Sequence, residues 1–332
     1  MDSIVISAVG IFLVILIGTP LIGFGAIFVL SLVTRYPNRT KENFVEVLNG
    51  YKTEKPFKNL LTTDAKASRL FTEPEVYLTV VVPAMNEEDR ISLMLNECTE
   101  YLSERASKEK QFTYEIIVVD DGSRDKTSEI ALTYSDANVS VLKLASNKGK
   151  GGAIRDGVLR SRGKLILFAD ADGATTFKDF DKLERKFKEM CGQDMKDDVD
   201  FTFPGLVVGS RAHLEAVAVA ERSPFRTFLM KAFHLLVWAL TVKTIQDTQC
   251  GFKLLSRSAV AKLFPLMHIE RWAFDVELLY LAEQLHYPIS EVAVQWKEID
   301  GSKIVPVWSW LQMGRDILLI WFHYLTKSWT KA

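Results

Sequence analysis

Short apolar runs and helix-spaced stretches alternate along the first half of this chain. Residues 78–82, 115–119, 139–144 and 164–169 are rich in Val, Ile and Leu, and the first run is stopped by Pro83. Runs of this length with little polar alternation predict strands buried on both faces of a parallel sheet. Between them the spacing predicts helices over 89–103, with Asp89 as N-cap, over 125–134 and over 151–160. This βαβ repeat predicts an α/β fold whose sheet is parallel at its start. The second half is less regular. It predicts strands over 206–209, 251–255 and 289–296, and helices over 224–240 and 274–285. Residues 308–324 are rich in aromatics. They read either as a helix packed on the domain or as an interfacial helix with Trp308, Trp310 and Trp321 at the headgroups of a membrane.

Residues 3–34 carry no charge. As helix this stretch would reach ~48 Å against a hydrocarbon core of ~30 Å, which suits one tilted or kinked span. Gly18, Pro20, Gly23 and Gly25 mark a kink or a division within it. A cleaved signal peptide is disfavoured by the length and by the missing basic n-region. Asp2 precedes the span, and Arg35, Arg39 and Lys41 follow it. The positive-inside rule then puts the rest of the chain in the cytosol. The predicted division is a membrane anchor over 1–34, a charge-rich linker over 35–76 with a short helix at 42–48, an α/β domain over 77–303 and a C-terminal aromatic segment over 304–332.

Composition narrows the partners. With 48% hydrophobic and 25% charged residues the chain folds around a large core rather than staying disordered. A net charge of −1 gives no basic surface for nucleic acid. Cys98, Cys191 and Cys250 are odd in number and widely spaced, which indicates neither a disulfide framework nor a zinc site, and suits a reducing compartment.

Four polar motifs sit where predicted strands end. Pro83-Ala84-Met85-Asn86-Glu87 follows the first, Asp120-Asp121-Gly122-Ser123 the second, and Asp170-Ala171-Asp172-Gly173 the fourth, while Asn147-Lys148-Gly149-Lys150-Gly151-Gly152 opens a helix after the third. Open α/β sheets bind ligands at these ends. Carboxylates crowded in one crevice repel each other unless a cation or a donor-rich ligand joins them. A divalent metal with a nucleotide diphosphate meets that need. Asn86 and Glu87 would face a base or ribose, or else cap a helix. Asp121 would hold the nucleoside, or else shape a turn. Lys148 and Lys150, at a glycine-rich helix N-terminus, suit phosphate. The loop is not a Walker A sequence, because Gly151 follows Gly149-Lys150. It is not a dinucleotide fingerprint either, because Ile154 takes the third glycine position. Asp170 and Asp172 suit Mg²⁺ or Mn²⁺ bridging a diphosphate.

In this order, and joined by Gly209-Ser210-Arg211, Asp247-Thr248-Gln249-Cys250-Gly251-Phe252-Lys253, Arg271-Trp272-Ala273-Phe274-Asp275-Val276-Glu277 and Gly301-Ser302-Lys303, the motifs resemble those of family 2 glycosyltransferases with a GT-A fold. The added segments are similar to those of the members that glucosylate dolichyl phosphate. The resemblance implies a Rossmann-like, mixed, mostly parallel sheet flanked by helices. It implies inverting transfer of glucose from UDP-glucose to dolichyl phosphate, for N-glycan precursor assembly, by a single-pass protein of the endoplasmic reticulum membrane facing the cytosol. It assigns the nucleoside to Asp121, metal and diphosphate to Asp170 and Asp172, and the acceptor phosphate to Arg211 with Arg222 or Arg226. Pro83, Asn86, Glu87, Lys148 and Lys150 fall on the donor side. Lys303 would reach a phosphate, or else is a solvated surface lysine. Asp247 and Asp275 orient groups or balance charge, because a phosphate monoester has a second pKa of about 6 and arrives as a nucleophile. Related mannosyltransferases carry a glutamine two residues past the second aspartate. Here that residue is Ala174, which leaves a third metal ligand to Thr175 or water. GDP-mannose as donor, and a scaffold that binds without transfer, are the alternatives. Arg271-Trp272 matches the end of the Gln-x-x-Arg-Trp motif of polysaccharide synthases, but His268 stands at the Gln position.

Overall fold

Both faces of one seven-stranded sheet are covered over its central strands, which is why those strands read as mainly apolar runs. The computed structural model describes residues 23, 25–32, 34, 70, 73–214, 224–299, 301 and 308–329, without the side chains of 224–230. Most of the anchor expected over 1–34, nearly all of the linker with its helix at 42–48, and Arg222 and Lys303 lie outside the described residues. Among the described residues no helix is long and apolar enough to cross a membrane.

The strands are β1 (Val76–Ala84), β2 (Tyr114–Asp120), β3 (Val139–Lys143), β4 (Gly163–Ala169), β5 (Leu206–Ser210), β6 (Phe252–Ser256) and β7 (Ile289–Ala293). Their order is β3-β2-β1-β4-β6-β5-β7. The first four are mutually parallel, β7 runs parallel to β5, and β6 runs antiparallel to both its neighbours. The helices are α1 (Ile91–Lys108), α2 (Thr127–Leu132), α3 (Lys150–Leu159), α4 (Phe180–Met190), α5 (Pro224–Leu240), α6 (Arg257–Leu263), α7 (Phe274–Gln284) and α8 (Trp308–Leu325). On β1, Val80 and Val82 enter one core with residues of α1 and α4, while Val81 enters the opposite core with residues of α3, α6, α7 and α8. This period-two division is what a doubly covered sheet requires.

Several expectations change. Helix α1 begins at Ile91 with Arg90 in the N-cap position, and no side chain caps it, so Asp89 is not the cap. The strand predicted over 289–296 ends at Ala293, and Trp296 instead forms an isolated bridge with Thr175. Two helices were not predicted. In α4 the buried Phe180, Leu183 and Phe187 recur at helical spacing, but they sit in a string of charges that hides them. Helix α6 is only seven residues long and begins at the very end of β6, with the Ser256 hydroxyl accepting from Ala259 N–H.

The C-terminal segment is a helix with one face packed on the domain. Helix α8 buries Met313, Ile317, Ile320 and Tyr324, and lies against α5 and α7. Glu277 of α7 ties these parts together. It accepts from His268 N–H at 2.9 Å, Ile269 N–H at 2.6 Å and the Tyr324 hydroxyl at 3.0 Å. Trp310 does not face outward; its ring packs edge-on against Phe233, with centroids 5.8 Å apart. Trp308 and Leu311 of the same helix stay exposed.

The reversed strand sets the position of the site. The carboxyl ends of β1, β2 and β4 lie at one edge, and because β6 runs the other way its amino end arrives there too. Ala169 pairs with Phe252, which brings Asp170 against Gly251.

Candidate active site

A cleft of about 740 Å³ opens over this edge. Its floor is built by the chain as it leaves each strand. After β1, Asn86 takes a left-handed φ of 54°, which asparagine tolerates better than most residues. Its backbone N–H donates to Ser123 Oγ, and its Oδ1 accepts from Arg124 N–H, both at 2.9 Å. Glu87 receives a forked pair from Arg90, each bond 2.7 Å. Pro83, Asn86 and Glu87 all line the cleft, and the last two also lock the loops after β1 and β2 to each other.

After β2, Asp120 turns inward and accepts from Ser123 N–H and the Ser128 hydroxyl. Asp121 lines the cleft and fastens the glycine-rich loop. It accepts from Asn147 Nδ2 at 2.8 Å, Lys148 N–H at 2.7 Å and Gly149 N–H at 2.8 Å. Burial pushes its carboxyl up to about 7, against the two backbone donors and with the help of Asp156 and Asp120.

The glycines of this loop serve packing. Gly149 has φ +90°, and a Cβ there would lie 2.7 Å from Glu270 O; one on Gly151 would lie 2.5 Å from Phe274 Cβ. They let the first turn of α3 press beneath residues 270–274. The two lysines part company. Lys148 turns to the buried Asp156 at 3.1 Å and does not line the cleft, whereas Lys150 lines it and meets Asp170 Oδ1 at 2.6 Å.

After β4, Asp170 and Asp172 both line the cleft. Asp172 accepts from Ala174 N–H at 3.0 Å. Burial raises the pKa of Asp172, and the neighbouring Asp170 raises it further, against the pull of Ala174 N–H, Arg90 and Lys150. Gly251 is the cradle of Asp170: a Cβ there would meet Asp170 Oδ2 at 2.0 Å. Two adjacent carboxylates that already draw an ammonium fit Mg²⁺ or Mn²⁺, which takes one or two carboxylates and completes its shell with phosphate oxygens and water. Among the described residues no third acidic, histidine or cysteine side chain joins them. Ala174 offers no side-chain ligand, and its N–H is used by Asp172.

The far wall carries Arg211 and Asp247. Arg211 donates to Asp247 from its backbone N–H at 2.9 Å, Nε at 2.7 Å and Nη2 at 2.9 Å. Burial opposes the charge, but this fork holds Asp247 below the usual carboxylate range. The guanidinium also lies 5.5 Å from the centre of the Trp296 ring. Asp275 lines the cleft from below and is bound to Lys253 Nζ at 2.5 Å, a pair with almost no exposure. Of the expected arginines, Arg226 lies on α5 but its side chain is outside the described residues, as are the whole of Arg222 and Lys303.

Two members of the constellation escaped the sequence reading. Glu291 on β7 accepts from Gln246 N–H at 3.0 Å and Asp247 N–H at 2.8 Å, and so fixes the carboxylate that holds Arg211. Lys253, the last residue of the Asp247–Lys253 segment, is the counter-ion of Asp275. Its signal was there, since a lysine inside a buried strand needs a buried anion.

Comparison with known proteins agrees with this architecture. The model of glycosyl transferase family 2 matches residues 79–264. A dolichyl-phosphate beta-glucosyltransferase of Drosophila melanogaster is 55% identical over 263 residues, 78% of each chain. The Homo sapiens protein of the same name is 47% identical over 308 residues, 92% of each chain. Among solved structures, glucosyl-3-phosphoglycerate synthase from Mycobacterium tuberculosis, in complex with Mn²⁺, UDP and phosphoglyceric acid, superposes with a TM-score of 0.50. It is 16% identical, covering 87% of this chain and 83% of that one, a likeness of fold.

Proposed function

The chain belongs to glycosyl transferase family 2, among its dolichyl-phosphate beta-glucosyltransferases, and from that premise we propose that its cleft transfers glucose from UDP-glucose to dolichyl phosphate. The observation that carries the reading is the pairing within one cleft of an acidic pair suited to a cation-bound diphosphate and an arginine suited to a second phosphate. A bound Mg²⁺ or Mn²⁺ would supply charge neutralisation to the departing UDP, held by Asp170 and Asp172. Asp121, Asn86 and Glu87 face the nucleoside side of the same crevice. Arg211 commits Nε and Nη2 to Asp247, and among the described residues nothing accepts from Nη1, which is the donor for the acceptor phosphate. Arginine suits this task because its planar fork can hold a carboxylate along one edge and a phosphate along another.

Among the described residues the aspartates beside Arg211 and Lys253 are already committed, and an acceptor that arrives as an anion needs no base. Asp247 is held ionised by its fork, and a carboxylate below its usual range is a weak proton acceptor. Asp275 is committed to Lys253. The acceptor phosphate, with a second pKa of about 6, attacks as it arrives. The residues therefore hold two phosphates at workable distance and orientation rather than move a proton.

The membrane is the further partner in this reading. One wall of the cleft, with Phe233, Trp310 and Met313, continues into the packed helices α5 and α8. Outside it Leu235, Trp238, Trp308 and Leu311 stay exposed, Trp308 at 72%. Phe28 of the helical residues 25–32 packs on Phe322 of α8 and is itself half exposed, beside exposed Val29 and Leu32. Apolar surface of this extent suits a lipid face, and would deliver a polyprenyl chain to Arg211. The uncharged stretch over 3–34 would anchor the chain in the endoplasmic reticulum membrane, and Arg35, Arg39 and Lys41 after it favour a cytosolic catalytic domain. The three free thiols suit the same side.

The test is transfer by purified full-length protein, with Mg²⁺ or Mn²⁺, polyprenyl phosphate and a panel of radiolabelled nucleotide sugars. Product from UDP-glucose is expected. Transfer only from GDP-mannose would overturn the donor, and tight binding without transfer would leave a scaffold. The acceptor assignment has its own check. Arg211→Ala should raise KM for polyprenyl phosphate by about tenfold or more, while the Kd for UDP moves by less than about twofold. Arg211→Lys, which keeps the charge opposite Asp247, should recover part of the loss. Equal weakening of donor and acceptor would remove the phosphate clamp.

A further inference from the structure

Lys150 stands where a cation is called for. Its ammonium lies 2.6 Å from Asp170 Oδ1, and the side chain is only 14% exposed. We propose that Lys150 blocks the cation-facing oxygen of Asp170 in the donor-free protein and yields it only when a nucleoside diphosphate offers the ammonium another anion, so that divalent cation and donor bind as one coupled event. The proposal rests on the reading of Asp170 and Asp172 as the cation and diphosphate site.

The reasons are local. A divalent cation and an ammonium cannot share one carboxylate oxygen without strong repulsion, so one must leave. The nearby carboxylates are already committed: Asp275 to Lys253, Asp156 to Lys148, and Asp121 to three N–H donors. With Asp172 taken up by the same cation, the anion nearest to a displaced ammonium is the diphosphate that the donor brings. Lys150 is the first residue of α3, so its side chain starts from a helix N-terminus, where a diphosphate is itself favoured. Whatever factor the donor adds to cation affinity, the cation must add to donor affinity.

Mn²⁺ binding to the full-length protein, measured by electron paramagnetic resonance with and without UDP, tests this without turnover. Wild type should bind Mn²⁺ weakly alone and at least about tenfold more tightly with UDP. Lys150→Met, which keeps the length of the stem and removes the charge, should bind Mn²⁺ alone about tenfold more tightly than wild type, and UDP should then add less. Lys150→Arg should behave like wild type. A cooperative thermal melt establishes that each variant is folded, and Lys150→Gln replaces the methionine variant if that one is not. A folded, uncharged variant that binds Mn²⁺ alone no more tightly than wild type overturns the blocking role, while leaving the donor site standing if UDP and Mn²⁺ still bind. Failure of UDP or Mn²⁺ to bind any form overturns both.

Discussion

Asp172→Asn is expected to lower glucosyl transfer by on the order of a thousandfold, about 4 kcal/mol of transition-state stabilisation, in a protein that still folds. The two halves of that expectation have separate causes. Asparagine keeps an Oδ1 acceptor for Ala174 N–H, which is the only hydrogen bond that Asp172 makes to its own turn. It also removes a charge that burial and Asp170 both disfavour, so the turn loses nothing and sheds a repulsion. What it cannot keep is the negative charge beside Asp170, without which the pair no longer demands a cation. Steady-state transfer and a thermal melt on the same preparation check it. Normal turnover by folded Asp172→Asn protein would sink the cation assignment.

Gly251→Ala comes next, with an expected loss on the order of a hundredfold, the usual penalty for shifting a reacting group by about 1 Å. The backbone at Gly251 needs no left-handed conformation, so alanine is tolerable for the strand entry itself. The conflict is with one side chain: the new Cβ would lie 2.0 Å from Asp170 Oδ2 and 2.3 Å from its Cγ. Asp170 is short and must swing away, which also parts it from Lys150. A single methyl group on a neighbouring loop should thus weaken Mn²⁺ binding and transfer together while the melting temperature moves by only a few degrees. Wild-type transfer by this variant would mean that the position of Asp170 is not critical.

The first half of the fold was legible because β1 to β4 are buried on both sides for most of their length, so only a few polar residues, such as Thr79 and Ser140, interrupt their apolar runs. The same burial that made β6 readable as a strand concealed its chemistry, since Lys253 looked like an exception in an apolar run and is instead the counter-ion of Asp275. Helix α4 was missed because its apolar stripe is three residues, Phe180, Leu183 and Phe187, among eight others. The motif aspartates were visible as candidates, yet their partners were not. That Asp121 ties down residues 147–149, that Lys148 and Lys150 face different carboxylates, and that Asp247 receives a fork from Arg211 all depend on which way side chains turn after the strand ends. Spacing along the chain does not carry that information. The glycine-rich run suggests phosphate, whereas the space that Gly149 and Gly151 leave is filled by Glu270 and Phe274.

The reversed strand has a consequence for how the molecule comes into being. Strands β1 to β4 can assemble from what has already been synthesised. Strand β5 cannot, because its two neighbours, β6 and β7, both lie downstream of it in sequence. Until residues 252–256 insert beside β4, Ser210 and the arginine after it have no sheet to join. The donor half is a local product of chain growth, and the acceptor half is a late, long-range closure of the kind that slows folding. In this topology the pairing of β6 with β4 is also what seats Gly251 against Asp170. One strand insertion thus joins the two walls of the cleft, and β7 with Glu291 then closes the sheet behind Arg211.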